Sequence, residues 1–193
     1  MNVRGEDWYA EELGAVRHEG VTFDDVDLTE TSTSGAHFQD CVFRGCRFNA
    51  STHVTTAFVG CRFERCSFFD ASLEGCKLTG SLFAECTLRP LRVSGGVWRG
   101  VTIRGAMLSG LDLTGLDLRE ADLSLSDLSQ TVLREARLDG ATLRGTDLRG
   151  ADLRGAGLAG VDLSAARLRA TRLDLAGAVL LAELHGADVD TSG

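Results

Sequence analysis

The sequence predicts an all-β rod, a square coil of 20 residues per turn with a short C-terminal helix. Three observations predict it. Every fifth residue from Phe23 to Leu173, 31 positions without an insertion or deletion, is apolar except Thr33 and His53, and 26 of them are Leu or Phe. The residue two before each centre is small or compact, as in Cys41, Cys46, Ser51, Ala71, Ala121 and Ala151. After Leu173 the period of five gives way to an apolar stripe at helical spacing. A period of five suits neither a helix at about 3.6 nor a strand at 2, so each unit must end in a bend. Four sides then close one coil, the centre and the small residue point inward, and the other three positions face water. The abundance of glycine (23) and the single proline fit a chain of many tight bends.

The elements follow in order. Residues 1–20 precede the regular repeat and form an N-terminal cap or arm. Asp7 is a candidate cap for a short helix over WYAEELGAVRH, ended by Gly20. Such a helix covers the first exposed strands or serves as a partner-binding arm. Residues 21–173 form the coil. Phe23, Phe43, Phe63 and Phe83 are 20 apart and should stack on one side, as should Phe48 and Phe68. Pro90 has no N–H to give to a neighbouring coil, and Gly95, Gly96 and the large Trp98 follow. A kink or altered turn is expected between 88 and 100. Residues 174–193 form a helix and tail. Asp174 is the N-cap candidate, Val179, Leu180, Leu181 and Leu184 form the stripe, His185 suits the last turn and Gly186 is the stop. This helix should close the last coil.

The chemistry-bearing residues offer no catalytic set, so the sequence points to a protein that is not an enzyme and needs no cofactor or metal. Cys41, Cys46, Cys61, Cys66, Cys76 and Cys86 all take the small inward position, and their spacing does not match zinc pairs. They read as buried, reduced packing residues. The GAGLAG run at 155–160 is a literal GxGxxG, but it lies inside the repeat with Leu158 at a centre. His53 occupies a centre and should be an interior histidine or a local distortion. The NAS sequon at 49–51 carries no weight without a secretory signal, and the N-terminus lacks the apolar segment of one. A cytoplasmic protein with no membrane span is expected, since no run of about 18 apolar residues occurs. The formal charge of −8 argues against direct, non-specific nucleic-acid binding.

Units such as TDLRG (146–150) and ADLRG (151–155) resemble the A(D/N)LXX unit of the pentapeptide repeat family. That resemblance implies a right-handed quadrilateral β-helix. Three stretches resemble the MfpA and Qnr group more narrowly: FAECTLRPLRV (83–93), LSGLDLTGLDLREADL (108–123) and LDLAGAVLLAELHG (173–186). The narrower resemblance implies binding to DNA gyrase, or a related type II topoisomerase, by mimicry of duplex DNA. It implies protection from fluoroquinolones and a homodimer through the C-terminal helix, with Val179, Leu180, Leu181 and Leu184 at the interface. Asp112, Asp117, Glu120, Asp122 and Asp127, opposed only by Arg119 across 106–130, are the candidate partner-binding patch. Their side chains should project outward and meet basic groups set for phosphates. The alternative is a structural or adaptor β-helix with a different protein partner.

Overall fold

The computed structural model describes residues 1–190. The chain winds as a parallel β-solenoid in which each residue pairs with the one 20 positions on, from Asn2↔Thr22 to Asp152↔Arg172. It is the right-handed quadrilateral β-helix with one short C-terminal helix. Coils are numbered here from residue 1, so coil 2 begins at Val21 and an incomplete ninth coil ends at Leu173. At about 4.8 Å per coil the rod is roughly 41 Å long. Its four faces are named by their columns of centres: A holds Phe23 and Phe43, B Phe48 and Phe68, C Thr33 and His53, D Phe38 and Phe58. No helix among the described residues is long and apolar enough to cross a membrane.

The first 20 residues are coil 1, not a helical arm. Strand β1 (Asn2–Arg4) pairs with Thr22–Asp24, β2 (Glu12–Gly14) with Ser32–Ser34, and β3 (Arg17–Glu19) with His37–Gln39. The helix expected from Asp7 is therefore absent. Asp7 instead accepts a hydrogen bond from the Tyr9 N–H at 3.0 Å, which turns the chain. Helical propensity in WYAEEL loses to the ladder, in which Gly5, Trp8 and Ala10 donate to Asp24, Asp27 and Thr29 carbonyls at 2.8–2.9 Å. Val3, Trp8, Leu13 and His18 extend the column register, and Trp8 and His18 meet Phe23 edge-on. Glu6 and Glu11 take the position that is inward elsewhere, yet both are exposed. Charge at that position blunts the edge of the first coil against further strand pairing.

Nearly every corner residue has a left-handed backbone, as at Gly45 (φ 61°) and Gly145 (φ 70°), Pro90 and Ala165 being exceptions. That demand explains the glycine content. The interior is a set of columns. Phe23–Phe43, Phe43–Phe63 and Phe63–Phe83 stack with ring centroids 4.7, 4.9 and 4.7 Å apart, and Phe48–Phe68 at 4.5 Å. A third column adds Phe38–Phe58 at 5.0 Å, with His18 stacked on Phe38 at 5.4 Å. Leucines replace the phenylalanines from Leu108 onward. The small inward residues do more than leave room. The Cys46 thiol reaches the Phe23 carbonyl at 3.3 Å, Ser81 Oγ donates to Phe58 O at 2.8 Å and Thr146 Oγ1 to Leu123 O at 2.9 Å. A short donor at this position ties a corner to the coil before it.

His53 is an interior histidine within a chain of hydrogen-bonded hydroxyls. Ser51 Oγ lies 2.7 Å from the Phe48 carbonyl and 3.0 Å from His53 Nε2. His53 Nδ1 lies 2.7 Å from Thr33 Oγ1, which is 2.7 Å from Thr56 Oγ1, and Thr56 Oγ1 reaches the Val54 carbonyl at 3.3 Å. The imidazole is neutral, and burial pushes its pKa down to about 4.

The irregular stretch lies where Pro90 and Trp98 are. Coils 5 and 6 stay paired on faces A and D, through Leu82↔Thr102 and Val97↔Asp117. On faces B and C, among the described residues, no backbone hydrogen bond joins 85–95 to 104–115. Coils 4 and 5 remain paired there, through Ser67↔Thr87 and Ser72↔Arg92. The Asp70 N–H bonds the Pro90 carbonyl, one residue beyond the regular pattern. Trp98 stands where its column otherwise has Leu78 and Leu118, and its Nε1–H finds no acceptor. Gly96 permits the fit, because a Cβ there would lie 2.4 Å from the Cys76 carbonyl oxygen. The wall is open on faces B and C, while Trp98's own face D and face A stay paired. A small cleft of about 50 Å³, lined by Phe83, Cys86, Leu88, Arg104 and Ala106 among others, marks the opening.

The six cysteines are free; five are buried and Cys86, at this seam, is half-buried. Burial pushes the Cys76 thiol up to about 11. Native protein should therefore react with a thiol reagent at Cys86 first, with the other five labelled only on unfolding. Mass spectrometry of the partly labelled protein checks this, and equal rates at all six would contradict it.

Helix α1 (Leu175–Leu184) closes the last coil. Asp174 caps it by accepting from Gly177 N at 2.9 Å, and its second oxygen takes the Gly155 N–H at 2.7 Å. Gly177 is buried, with Leu173 and Leu158 3.1 and 3.4 Å from where a Cβ would stand. His185 Nδ1 lies 2.8 Å from the Leu181 carbonyl, and Gly186 follows with φ 83°.

Candidate functional surfaces

The five acids expected to form one patch do not share a face. The repeat turns a corner every five residues, so positions five apart stand on successive faces. Asp112 is on face C, Asp117 on D, Glu120 at the D/A corner, Asp122 on A and Asp127 on B. They ring the rod across coils 6 and 7. Nor do all project outward. Asp117 is only 7% exposed, held by the guanidinium of Arg119 at 2.6 and 2.8 Å with Arg137 at 3.7 Å. The hydrogen bond from Arg119 holds its carboxyl below the usual range. Glu120 is exposed but pairs with Arg99.

The position has a structural task. Asp112, Asp122 and Asp127 each accept the N–H of the residue two on, at 2.9–3.0 Å, as do Asp7, Asp27 and Asp162. Asp147 and Asp152 do the same for Arg149 and Arg154 and also bind those guanidiniums. Where an aspartate stands just before a centre, it therefore sets the bend that follows.

The net charge lies elsewhere. Coils 1 and 2, residues 1–40, carry ten acids against two bases. Residues 41–173 carry 14 acids against 18 bases, and residues 174–193 four acids with no Lys or Arg. The whole excess of −8 thus equals that of the first two coils. Five of those acids are in residues 1–20, which sequence reading separated from the repeat. The concentration becomes legible only once the coil register is carried back to Met1.

On α1 the expected dimer residues divide. Leu180 and Leu181 pack against the core and Val179 is half-buried, while Leu184 and especially Leu175 are exposed. The last coil takes up part of the apolar stripe.

Family models for the pentapeptide repeat region match residues 16–93, and for pentapeptide repeats residues 99–134 and 131–169. None of the curated proteins matches the chain. Among solved structures, HetL, a pentapeptide repeat protein involved in heterocyst differentiation regulation from the cyanobacterium Nostoc sp. strain PCC 7120, is 21% identical. The match covers 88% of this chain and 87% of HetL, with a TM-score of 0.53. QnrB1, a plasmid-mediated fluoroquinolone resistance protein, is 18% identical over 98% of both chains, with a TM-score of 0.48. A pentapeptide repeat protein of the Arabidopsis thaliana thylakoid lumen is 25% identical over 77% of this chain and 78% of that one, with a TM-score of 0.34. The register of the coil and the match of both family models across it place the chain in the pentapeptide repeat family.

Proposed function

We propose that the protein binds DNA gyrase or a related type II topoisomerase in place of duplex DNA, and so shields it from poisons such as fluoroquinolones. It acts by binding, not catalysis. The observation that carries this reading is the charge of coils 1 and 2. They rise roughly 10 Å along the rod, over which a duplex carries about six phosphate charges at one per 1.7 Å. Their net charge of −8 is of that order. The acidic end, rather than the ring at coils 6 and 7, then enters a basic saddle first. A partner gripping one face of the rod meets at most two of Asp112, Asp117, Glu120, Asp122 and Asp127.

Gyrase supercoiling at graded protein concentration, with and without a quinolone, tests it. The unaltered protein should inhibit or protect. Neutralising Glu11, Glu12, Glu19 and Asp40, on faces C and D, to Gln or Asn should weaken the effect at least tenfold and flatten its salt dependence. No effect of the unaltered protein at micromolar concentration would favour an adaptor with another partner.

A further inference from the structure

We propose that Cys66 and Cys86 are a hydroperoxide-sensitive pair that closes to a disulfide across coils 4 and 5 and braces the wall beside the open seam. Three cysteines stand one above another at the start of face B: Cys46, Cys66 and Cys86, in coils 3, 4 and 5. The ladder holds them in register, with the Ser67 N–H on the Cys46 carbonyl at 3.1 Å and the Thr87 N–H on the Cys66 carbonyl at 2.9 Å. Successive Cα atoms in such a column are about 4.8 Å apart, inside the span that a disulfide bridges. The Cys66 thiol is hydrogen-bonded to the sulfurs of both neighbours. The column ends at the seam. Its next member is Ala106, and the bond that would continue the ladder, from the Met107 N–H to the Cys86 carbonyl, is missing. Cys86 is half-buried and lines the cleft that opens there, with Phe83, Leu88 and Arg104. That cleft has room for a molecule little larger than water.

Access, and not acidity alone, singles out Cys86. The hydrogen bond from Cys66 holds its thiol below the ordinary value. Cys61 holds Cys41 low in the same way, at about 7, but Cys41 is buried, as are Cys46, Cys61 and Cys66. The Cys86 thiolate attacks one oxygen of the hydroperoxide. An S–O bond forms, the O–O bond breaks, and the thiol proton leaves with the departing oxygen as water or alcohol. Cys66 then attacks the sulfenic sulfur. The S–S bond forms, the S–O bond breaks, and the hydroxyl leaves with the Cys66 proton as water. The two thiols lose two electrons in all, and the hydroperoxide gains them. Bonds to Cys46 and Cys86, and then burial, push the Cys66 thiol up, so it keeps its proton until that second step. Coil 5 is free to approach coil 4, because on this face no backbone bond among the described residues ties it to coil 6. Cys41 and Cys61 form the same kind of stack on face A, but Cys61 lies between complete ladders and should stay reduced. The new bond closes one coil into a covalent ring, which constrains the unfolded chain. It forms whatever partner the rod binds.

Graded hydrogen peroxide on the reduced native protein, then alkylation in denaturant and tryptic mass spectrometry, tests the pair. Peptides 66–77 and 78–92 should be recovered joined, about 2 Da lighter than the two reduced peptides together. Fragment spectra should place the bond on Cys66, not on Cys76 of the same peptide, and dithiothreitol should release it. Cys41, Cys46, Cys61 and Cys76 should still be alkylated. Cys86→Ser should abolish oxidation of Cys66. Serine suits the position, since Ser126 in the same column donates to the Ile103 carbonyl at 2.8 Å. Cys66→Ser should leave a sulfenic acid on Cys86 that dimedone captures. The oxidised protein should melt above the reduced one, with no such rise for Cys86→Ser. No joined peptide, a bond between two chains, oxidation of Cys41 and Cys61 at an equal rate, oxidation of Cys66 undiminished in Cys86→Ser, or an unchanged melting temperature would each overturn the proposal. Circular dichroism confirms that each variant is folded.

Discussion

Phe63→Ala should lower the unfolding free energy by about 4 kcal/mol, among the largest effects expected of a single substitution in this chain. Phe63 is fully buried, stacked between Phe43 and Phe83 at 4.9 and 4.7 Å, and edge-on to Phe48, Phe58 and Phe68. A coil is held at its perimeter by backbone bonds, so it cannot collapse inward to fill the void. Phe63→Leu should cost far less, about 1 kcal/mol. Leu123, Leu143 and Leu163 occupy the same column in later coils, which shows that the coil closes around leucine. Urea denaturation of both variants checks the pair of values. A loss below 1 kcal/mol for the alanine variant would mean that stacking is not what holds the N-terminal half.

Acidification should destabilise the protein through His53. Its pKa is about 4 in the fold and 6.5 ordinarily. The unfolded chain therefore takes up the proton first, and stability falls as pH drops below 6.5, levelling near 4 where both states are protonated. That fall corresponds to about 3 kcal/mol for this one group. Carboxylates held low in the fold, such as Asp27 at about 2 beside Arg47, add their own loss at lower pH. The difference between the unaltered protein and His53→Leu isolates the histidine. The variant is destabilised at pH 7, because Thr33 and Ser51 lose their partner. Its stability should nonetheless fall less between pH 6.5 and 4. Parallel curves for the two proteins would show that His53 is not the titrating group.

The coil itself was legible in the sequence from Phe23 onward, because every centre but Thr33 and His53 contributes one large apolar side chain to the interior and nothing interrupts the spacing. The break at coils 5 and 6 was legible too. Pro90 and Trp98 each violate a local requirement of the repeat, one for a backbone donor and one for side-chain volume. Coil 1 was not. Trp8 and His18 are unusual centres, and Glu6 and Glu11 stand where the rest of the chain has small residues, so the repeat fades just where local helical propensity rises. Only the ladder with coil 2 decides between them, and those bonds join residues about 20 apart.

The acids of coils 6 and 7 show the same division. That an aspartate precedes many centres is a property of the sequence, and its reason is local, since each takes the N–H two residues on. Which acids stand together is not local. It depends on four corners per coil and a rise of one strand spacing, which separate neighbours in sequence and bring together residues 20 or 40 apart. By itself the sequence determined the period, the inward columns with their cysteines and the capped final helix. The tertiary structure alone decided that the first 20 residues join the coil, so that their acids stack against those of residues 21–40, and that the five acids of 106–130 part onto different faces. Those properties arise from stacking, and stacking is what a linear reading of charge and propensity does not contain.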